Sequence, residues 1–119
     1  IDKDATVDDN KSDGGCTALH KAAECGHIEL VRYLMQNRAD VNAKSFLGDR
    51  PLHLAALDGH TGVAIALLEK GAHINLSNLK GFTPLHNAVE ENHPNVVEVL
   101  LEGGAVNENG ADTNATNNE

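Results

Sequence analysis

Apolar residues recur along the chain with the spacing of short amphipathic helices arranged in pairs. In the first pair, Leu19, Ala22 and Ala23 lie three or four positions apart, which is typical of one face of a helix. Gly26 then interrupts the pattern, and glycine is a common residue at a helix end. A second apolar stripe follows with the i, i+3, i+6, i+7 spacing of another amphipathic helix and consists of Ile28, Val31, Leu34 and Met35.

The chain contains this helix–loop–helix pattern three times. The second copy has a stripe made of Leu52, Leu54, Ala55, Ala56, Val63, Ala66, Leu67 and Leu68. The third copy ends in a helix whose stripe consists of Val96, Val97, Leu100 and Leu101. Residues 15–20, 48–53 and 81–86 mark the three copies and begin 33 positions apart. A fixed period of this kind indicates one structural unit stacked on itself, with each copy completing the core of its neighbour.

The third of these marker segments, residues 81–86, reads Gly-Phe-Thr-Pro-Leu-His, and Ala88 follows it. A Thr-Pro-Leu-His-x-Ala motif at a period of 33 resembles the signature of ankyrin repeats. The resemblance implies an all-α repeat solenoid in which each unit is a β-turn, a short helix, a loop and a longer helix, used to bind other proteins. It covers residues 13–107 as about three full repeats, at residues 13–45, 46–78 and 79–107.

The two ends of the chain have a different composition. Residues 1–12 are polar and lack helical periodicity, and residues 5–8 look like a worn copy of the Ala-Asp-Val-Asn at residues 39–42. We therefore expect a remnant of a preceding repeat there. Residues 108–119 are rich in Asn and have no apolar periodicity, which predicts a flexible tail.

Three positions depart from the repeat pattern at helix ends. Arg50 replaces the capping threonine of the other two units, which predicts a weaker helix start. Arg38 stands where the next unit has Gly71, so a residue with a Cβ is predicted in a left-handed conformation that is costly for it. Asn92 replaces a helix-stop glycine and is the next-best residue at such a position.

Composition narrows the classes of partner. The 119 residues carry a net charge of −9, from 18 acidic and 9 basic residues, which argues against a nucleic-acid partner because phosphates require a basic stripe. No apolar run is long enough to span a membrane. Cys16 and Cys25 would face opposite ways on a helix and pair poorly, which favours a reduced, intracellular protein of the cytoplasm or nucleus. We expect a monomer.

The histidines are the main candidates for metal chemistry, and six of the seven follow the 33-residue period: His20, His53, His86, His27, His60 and His93. Equivalent residues on stacked helices lie about 8–10 Å apart, whereas a zinc ion needs nitrogens at about 2 Å. The resemblance implies instead that the first three hydrogen-bond to the backbone of turns. It also implies that Asn42 and Asn75 match the target position of an intracellular asparagine hydroxylase.

Nothing in the sequence predicts catalysis. No arrangement of nucleophile, base and acid stands out, and no glycine-rich phosphate-binding motif occurs. We therefore expect a protein that is not an enzyme and that uses no metal and no cofactor.

The resemblance implies a concave binding face formed by the hairpin tips and the first helix of each unit. Five apolar residues occupy positions that this face would expose: Phe46, Leu47, Leu57, Leu79 and Phe82. Six charged residues occupy others: Glu24, Asp49, Asp58, Lys80, Glu90 and Glu91. Contiguous exposed apolar surface usually marks an interaction site, and its mostly acidic border favours a basic amphipathic segment of a protein partner.

Two alternatives remain open at this point. Some of the apolar side chains could fold back on neighbouring turns as local packing. The repeats could also be the regulatory part of a larger protein and bind another segment of the same chain.

Overall fold

A computed structural model describes residues 14–104 of the chain. Within this range the structure contains six short helices: α1 (Ala18–Cys25), α2 (Ile28–Gln36), α3 (Pro51–Asp58), α4 (Thr61–Glu69), α5 (Pro84–Glu90) and α6 (Pro94–Glu102). They form three consecutive pairs, and each pair with the tip before it is called a unit below. The first helices α1, α3 and α5 contact one another in order, and α2, α4 and α6 do the same. This arrangement confirms the predicted all-α solenoid of about three repeats.

The first helix of the outer units begins at a threonine that caps it. The Oγ1 atom of Thr17 accepts a hydrogen bond from the backbone N–H of His20 at 3.2 Å, and the N–H of Thr17 donates to Nδ1 of His20 at 2.9 Å. Thr83 and His86 repeat the pair at 3.3 and 3.0 Å. Each histidine therefore takes the place of the glutamate of an ordinary capping box.

The middle unit lacks half of this cap, as the sequence predicts. A guanidinium group only donates, so the side chain of Arg50 cannot accept from the first turn of α3. Its backbone N–H still donates to Nδ1 of His53 at 2.9 Å. Its Nη1 atom also donates to the backbone carbonyl of Asn42 at 3.0 Å, a contact that the sequence did not reveal. This bond to the preceding loop offsets part of the lost cap.

Arg38 and Asn92 adopt the left-handed conformation predicted for them, with φ angles of 73° and 60°. Gly71, which is equivalent to Arg38, has a φ of 95°. The first unit therefore carries a strained helix end where the second unit carries an unstrained one.

The predicted apolar stripes form the core. Its buried members are Leu19, Ala22, Ala23, Val31, Leu34, Leu52, Ala55, Ala56, Val63, Ala64, Leu67, Leu85, Ala88, Val96 and Leu100. Leu54 is an exception among the predicted stripe residues, because it does not pack against this core and instead lines a surface groove. Its i+2 position after Leu52 places it on the other face of α3.

Buried histidines link each first helix to the next tip. With Nδ1 occupied as an acceptor, the Nε2 atom of His20 carries the proton and donates to the carbonyl of Asp49 at 2.8 Å. His53 donates in the same way to the carbonyl of Phe82 at 2.9 Å. Burial lowers the pKa of both imidazoles, because a charged ring would lose its hydration. The neutral form of these side chains thus holds adjacent units together.

The second histidine series has a structural role that the sequence did not reveal. The Nε2 atoms of His60 and His93 donate at 2.9 Å to the carbonyls of Glu24 and Leu57, at the ends of α1 and α3. A Cβ on Gly59 would lie only 2.5 Å from Nδ1 of His93, so a glycine is needed for the ring to approach this closely. The φ angle of 76° at this position favours glycine as well. Each of these histidines therefore joins a second helix to the preceding unit.

Two predictions concern residues outside the described range. The remnant repeat at residues 1–12 and the flexible tail at residues 108–119 both lie there, so they stay predictions. Inside the range, Asn42 accepts a hydrogen bond from the backbone N–H of His73 at 2.7 Å through Oδ1, and its Nδ2 donates to the carbonyl of Gly71 at 3.3 Å. Its amide therefore already links two successive loops, and its modification stays a prediction.

Candidate protein-binding groove

The hairpin tips lie side by side because their backbones are hydrogen-bonded. The N–H of Phe46 donates to the carbonyl of Gly14 at 2.9 Å, and the N–H of Leu79 donates to the carbonyl of Leu47 at 3.0 Å. The second of these bonds brings the two leucines next to each other. Both are mainly solvent-accessible, at 64% for Leu47 and 74% for Leu79. Adjacent tips therefore present apolar side chains to water.

A groove of about 270 Å³ runs between the second and third tips and the helices α3 and α5. We call it the tip groove, and it is lined by Leu47, Asp49, Leu54, Leu57, Asn78, Leu79, Lys80, Phe82, Asn87, Glu90 and Glu91. Eight of these are among the eleven residues that the sequence singled out. The other three, Leu54, Asn78 and Asn87, were missed. Leu54 was assigned to the core stripe, and the asparagines carried no signal that distinguished them from ordinary surface residues.

Three of the residues singled out by the sequence do not line the tip groove. Phe46 is 64% exposed and lies over the first tip, where a Cβ on Gly15 would meet its Cδ1 atom at 2.6 Å. Glu24 and Asp58 are exposed near the ends of α1 and α3. The structure therefore gathers the apolar residues around the second and third units more closely than around the first.

The two phenylalanine side chains pack partly against neighbouring residues, as in the alternative of local packing raised by the sequence. Phe82 is half-buried, its ring lies 5.9 Å from that of His86 at an angle of 35°, and its carbonyl accepts from His53. Phe46 packs against the backbone of Gly15, although most of its side chain is exposed. The leucines of the tip groove supply the more accessible apolar surface.

Asn78 fixes the polar geometry of the groove wall. Its Oδ1 atom accepts from the backbone N–H groups of Lys80 and Phe82 at 2.9 and 3.0 Å, which orients the amide. Its Nδ2 atom then donates to Oδ1 of Asp49 at 2.9 Å. The carboxylate of Asp49 is therefore held in place at the groove by a neighbouring tip.

The charge of the tip groove is negative. Three carboxylates line it, from Asp49, Glu90 and Glu91, against the single ammonium group of Lys80. Within residues 14–104, no basic side chain forms an ion pair with any of the three. The carboxylates of Glu90 and Glu91 project from the exposed end of α5. A cationic group entering the groove would therefore meet unpaired negative charge.

A second concavity, of about 460 Å³, lies on the outer side of the third unit beside α5 and α6. It includes Val89, which is 60% exposed, and Val97. The residues 33 positions earlier, Ala56 and Ala64, are fully buried. This concavity is therefore the face against which a neighbouring unit packs inside the stack, and its lining is more apolar than that of the tip groove.

The described part of the chain shows no metal or membrane-spanning feature. No cluster of three or more His, Cys, Asp or Glu side chains there could hold a metal ion. None of the helices in residues 14–104 has both the length and the apolar character needed to cross a bilayer. Neither Cys16 nor Cys25 forms a disulfide bond within residues 14–104.

The repeat architecture and the sequence agree with a known family. A family model described as ankyrin repeats (3 copies) matches residues 39–117, and a model of a single ankyrin repeat matches residues 14–46. The chain belongs to the ankyrin repeat family. Members of this family generally act as protein-interaction modules and are typically not catalytic.

Proposed function

We propose that the chain binds a segment of another protein in the tip groove, and that this segment is amphipathic with basic residues beside its apolar face. The observation that carries the proposal is the composition of the groove. Exposed leucines from two tips and from α3 lie beside three carboxylates that form no ion pair with a basic residue of the described chain, and Lys80 offsets only part of their charge. Apolar contact would supply affinity, and the carboxylates would select a cationic partner.

The size of the groove favours a protein segment over a small molecule. Pockets for small ligands usually enclose about 300–1,000 Å³ and bury most of the ligand, whereas this groove is smaller and open along the two tips. Such a surface suits a few side chains presented by a longer segment.

The sequence around the described region does not supply that segment. Of the 18 acidic and 9 basic residues in the chain, 8 acidic residues and only 2 basic ones, Lys3 and Lys11, lie in residues 1–13 and 105–119. A segment with so little positive charge does not complement the acidic border. This supports a partner outside these two stretches.

The test uses peptides selected from a random library for binding to the wild-type protein. Leu57 and Leu79 are 38% and 74% exposed, and full burial of a leucine is worth about 1.5–3 kcal/mol. The double change Leu57→Ala and Leu79→Ala should therefore lower peptide affinity by roughly 2–3 kcal/mol, or about 30- to 150-fold. Affinity should also fall as salt is raised, because exposed charges are screened.

A matched control removes similar apolar surface elsewhere. Leu30 and Ile65 are 44% and 40% exposed and lie outside the groove. The double change Leu30→Ala and Ile65→Ala should leave peptide affinity within about twofold of the wild type, since neither side chain lines the groove. Equal losses in the two double variants, or binding that tightens with salt, would contradict the proposal.

A further inference from the structure

Asn87 is a polar side chain in a nearly closed position on the wall of the tip groove. It lies in α5, and its equivalents 33 and 66 positions earlier are Leu54 and Lys21. Only 6% of its surface is exposed, and the concavity that it lines is the tip groove. Helix packing does not require an amide there, since the middle unit forms the same helix with a leucine.

One hydrogen bond of the Asn87 side chain assigns the roles of its two amide atoms. Its Nδ2 atom donates a long hydrogen bond of 3.4 Å to the backbone carbonyl of His53, and since a carbonyl only accepts, this orientation leaves Oδ1 as the available acceptor of the amide. Within residues 14–104, no group donates a hydrogen bond to Oδ1 of Asn87. The groove wall therefore carries a solvent-accessible acceptor that lacks a donor within residues 14–104.

The surroundings of this acceptor favour a cationic donor. Oδ1 of Asp49 accepts from Asn78, while Oδ2 receives no hydrogen bond from the described residues. Glu90 and Glu91 add two unpaired carboxylates at the same groove. The apolar side chains of Leu54, Leu57 and Phe82 line the remaining wall. A long side chain with an aliphatic stem and a charged head that donates several hydrogen bonds would complement each of these groups.

Building on the proposed function, we infer that the tip groove binds an arginine side chain of the partner segment. The guanidinium group donates to Oδ1 of Asn87 and to the carboxylate of Asp49, and its stem packs on the leucines. Arginine suits this site better than lysine because its planar head offers five donors, is more weakly hydrated and stacks on aromatic rings such as that of Phe82. The arginine thus fixes the register of the partner along the groove.

The first test compares peptides that the wild-type protein selects from a random library. We expect an arginine at one shared position, and its replacement by lysine or by citrulline should weaken binding about tenfold or more. Citrulline keeps most of the donors and removes the charge, so its effect reports the carboxylates. Selected peptides without a shared arginine would overturn the inference.

The second test is a double-mutant cycle with Asn87→Leu, which installs the residue of the middle unit. If the arginine donates to Asn87, the change Asn87→Leu should lower the affinity for the parent peptide about tenfold. Replacing the arginine of the peptide should then cost less affinity toward the Asn87→Leu variant than toward the wild-type protein. Additive losses would overturn the inference. The peptide replacements on the wild-type protein give an answer even if Asn87→Leu folds poorly.

The leucine variants separate this inference from the proposed function. If Leu57→Ala with Leu79→Ala lowers peptide affinity about 30- to 150-fold, as expected, while Asn87→Leu has no effect, the groove is the binding site and the arginine contact is wrong. If neither variant changes binding, both the inference and the proposed function are wrong.

Discussion

The loss of the His53 side chain should destabilise the stack strongly, because its two ring nitrogens bind backbone groups of two units. It is fully buried, and its partners are the N–H of Arg50 and the carbonyl of Phe82, each at 2.9 Å. The change His53→Ala leaves both groups without these partners and opens a cavity. An unsatisfied buried polar group costs about 1–3 kcal/mol. Since Arg50 and Phe82 are half-buried and regain some water, we expect a total loss of about 2–4 kcal/mol.

The measurement is urea unfolding followed by helical circular dichroism at neutral pH, with His27→Ala as the control. His27 is the equivalent of His60, but it is exposed and its side chain makes no cap hydrogen bond. Its replacement should change the free energy of unfolding by less than about 0.5 kcal/mol. Similar losses for the two variants would refute the role assigned to the buried ring.

The wild-type protein should become less stable in acid, because the pKa values of His20 and His53 are lower in the folded state than in the unfolded state. Above the unfolded pKa of about 6.5 both states are neutral and the full stability is present. As pH falls below about 6.5, His20 and His53 become protonated in the unfolded chain but stay neutral in the folded chain, until pH reaches their lower folded pKa values. In that pH range, each of these histidines lowers the free energy of unfolding by up to about 1.4 kcal/mol for each unit by which pH falls.

The His53→Ala variant should therefore lose stability less steeply than the wild type as pH falls below about 6.5. Urea titrations at several pH values measure this slope, with His27→Ala again as the control. A slope identical to that of the wild type would show that the ring of His53 does not resist protonation in the folded state.

Two further predictions concern the ends and the middle of the stack. Arg38→Gly should raise the free energy of unfolding by about 0.5–1 kcal/mol, because relief of the left-handed strain exceeds the entropic cost of glycine. Asn92→Gly should change the free energy of unfolding less. Thermal melts measure both variants, and a lower melting point for Arg38→Gly would contradict the strain at Arg38. Hydrogen exchange should find the slowest amides in residues 51–68, because α3 and α4 contact units on both sides, and uniform protection across the three units would refute this.

Much of the fold could be predicted because each unit repeats the same physical requirements. Small and branched apolar residues at helical spacing predicted the core, and glycine or asparagine at helix ends predicted the left-handed residues. The bond from Arg50 to the carbonyl of Asn42 could not be predicted, because it joins a side chain to a loop eight residues away whose path depends on tertiary packing. The role of His60 and His93 was equally hidden, since their acceptors are backbone carbonyls 36 residues away.

The tip groove was predictable in part for a related reason. Leu47 and Leu79 occupy tip positions that the fold exposes to solvent, where a polar residue would be expected. The sequence alone therefore marks these leucines as candidates for binding. Asn87 is not marked in this way, because a polar residue on a short helix is typical of a solvated face. Only its burial and the carbonyl of His53 distinguish it from an ordinary surface asparagine.

The position shared by Lys21, Leu54 and Asn87 shows where the units differ in what they can bind. Neighbouring positions on the same helices hardly vary: Leu19, Leu52 and Leu85 are all buried, as are Ala22, Ala55 and Ala88. Core packing therefore fixes one face of each first helix and leaves the opposite face to diverge. The three side chains at the divergent position differ in charge and in size. Within residues 14–104, the tip groove between the second and third units combines an apolar wall with a hydrogen-bond acceptor. We therefore expect a partner that needs both to bind there, at a site that depends on the sequence differences among the units rather than on their shared motif.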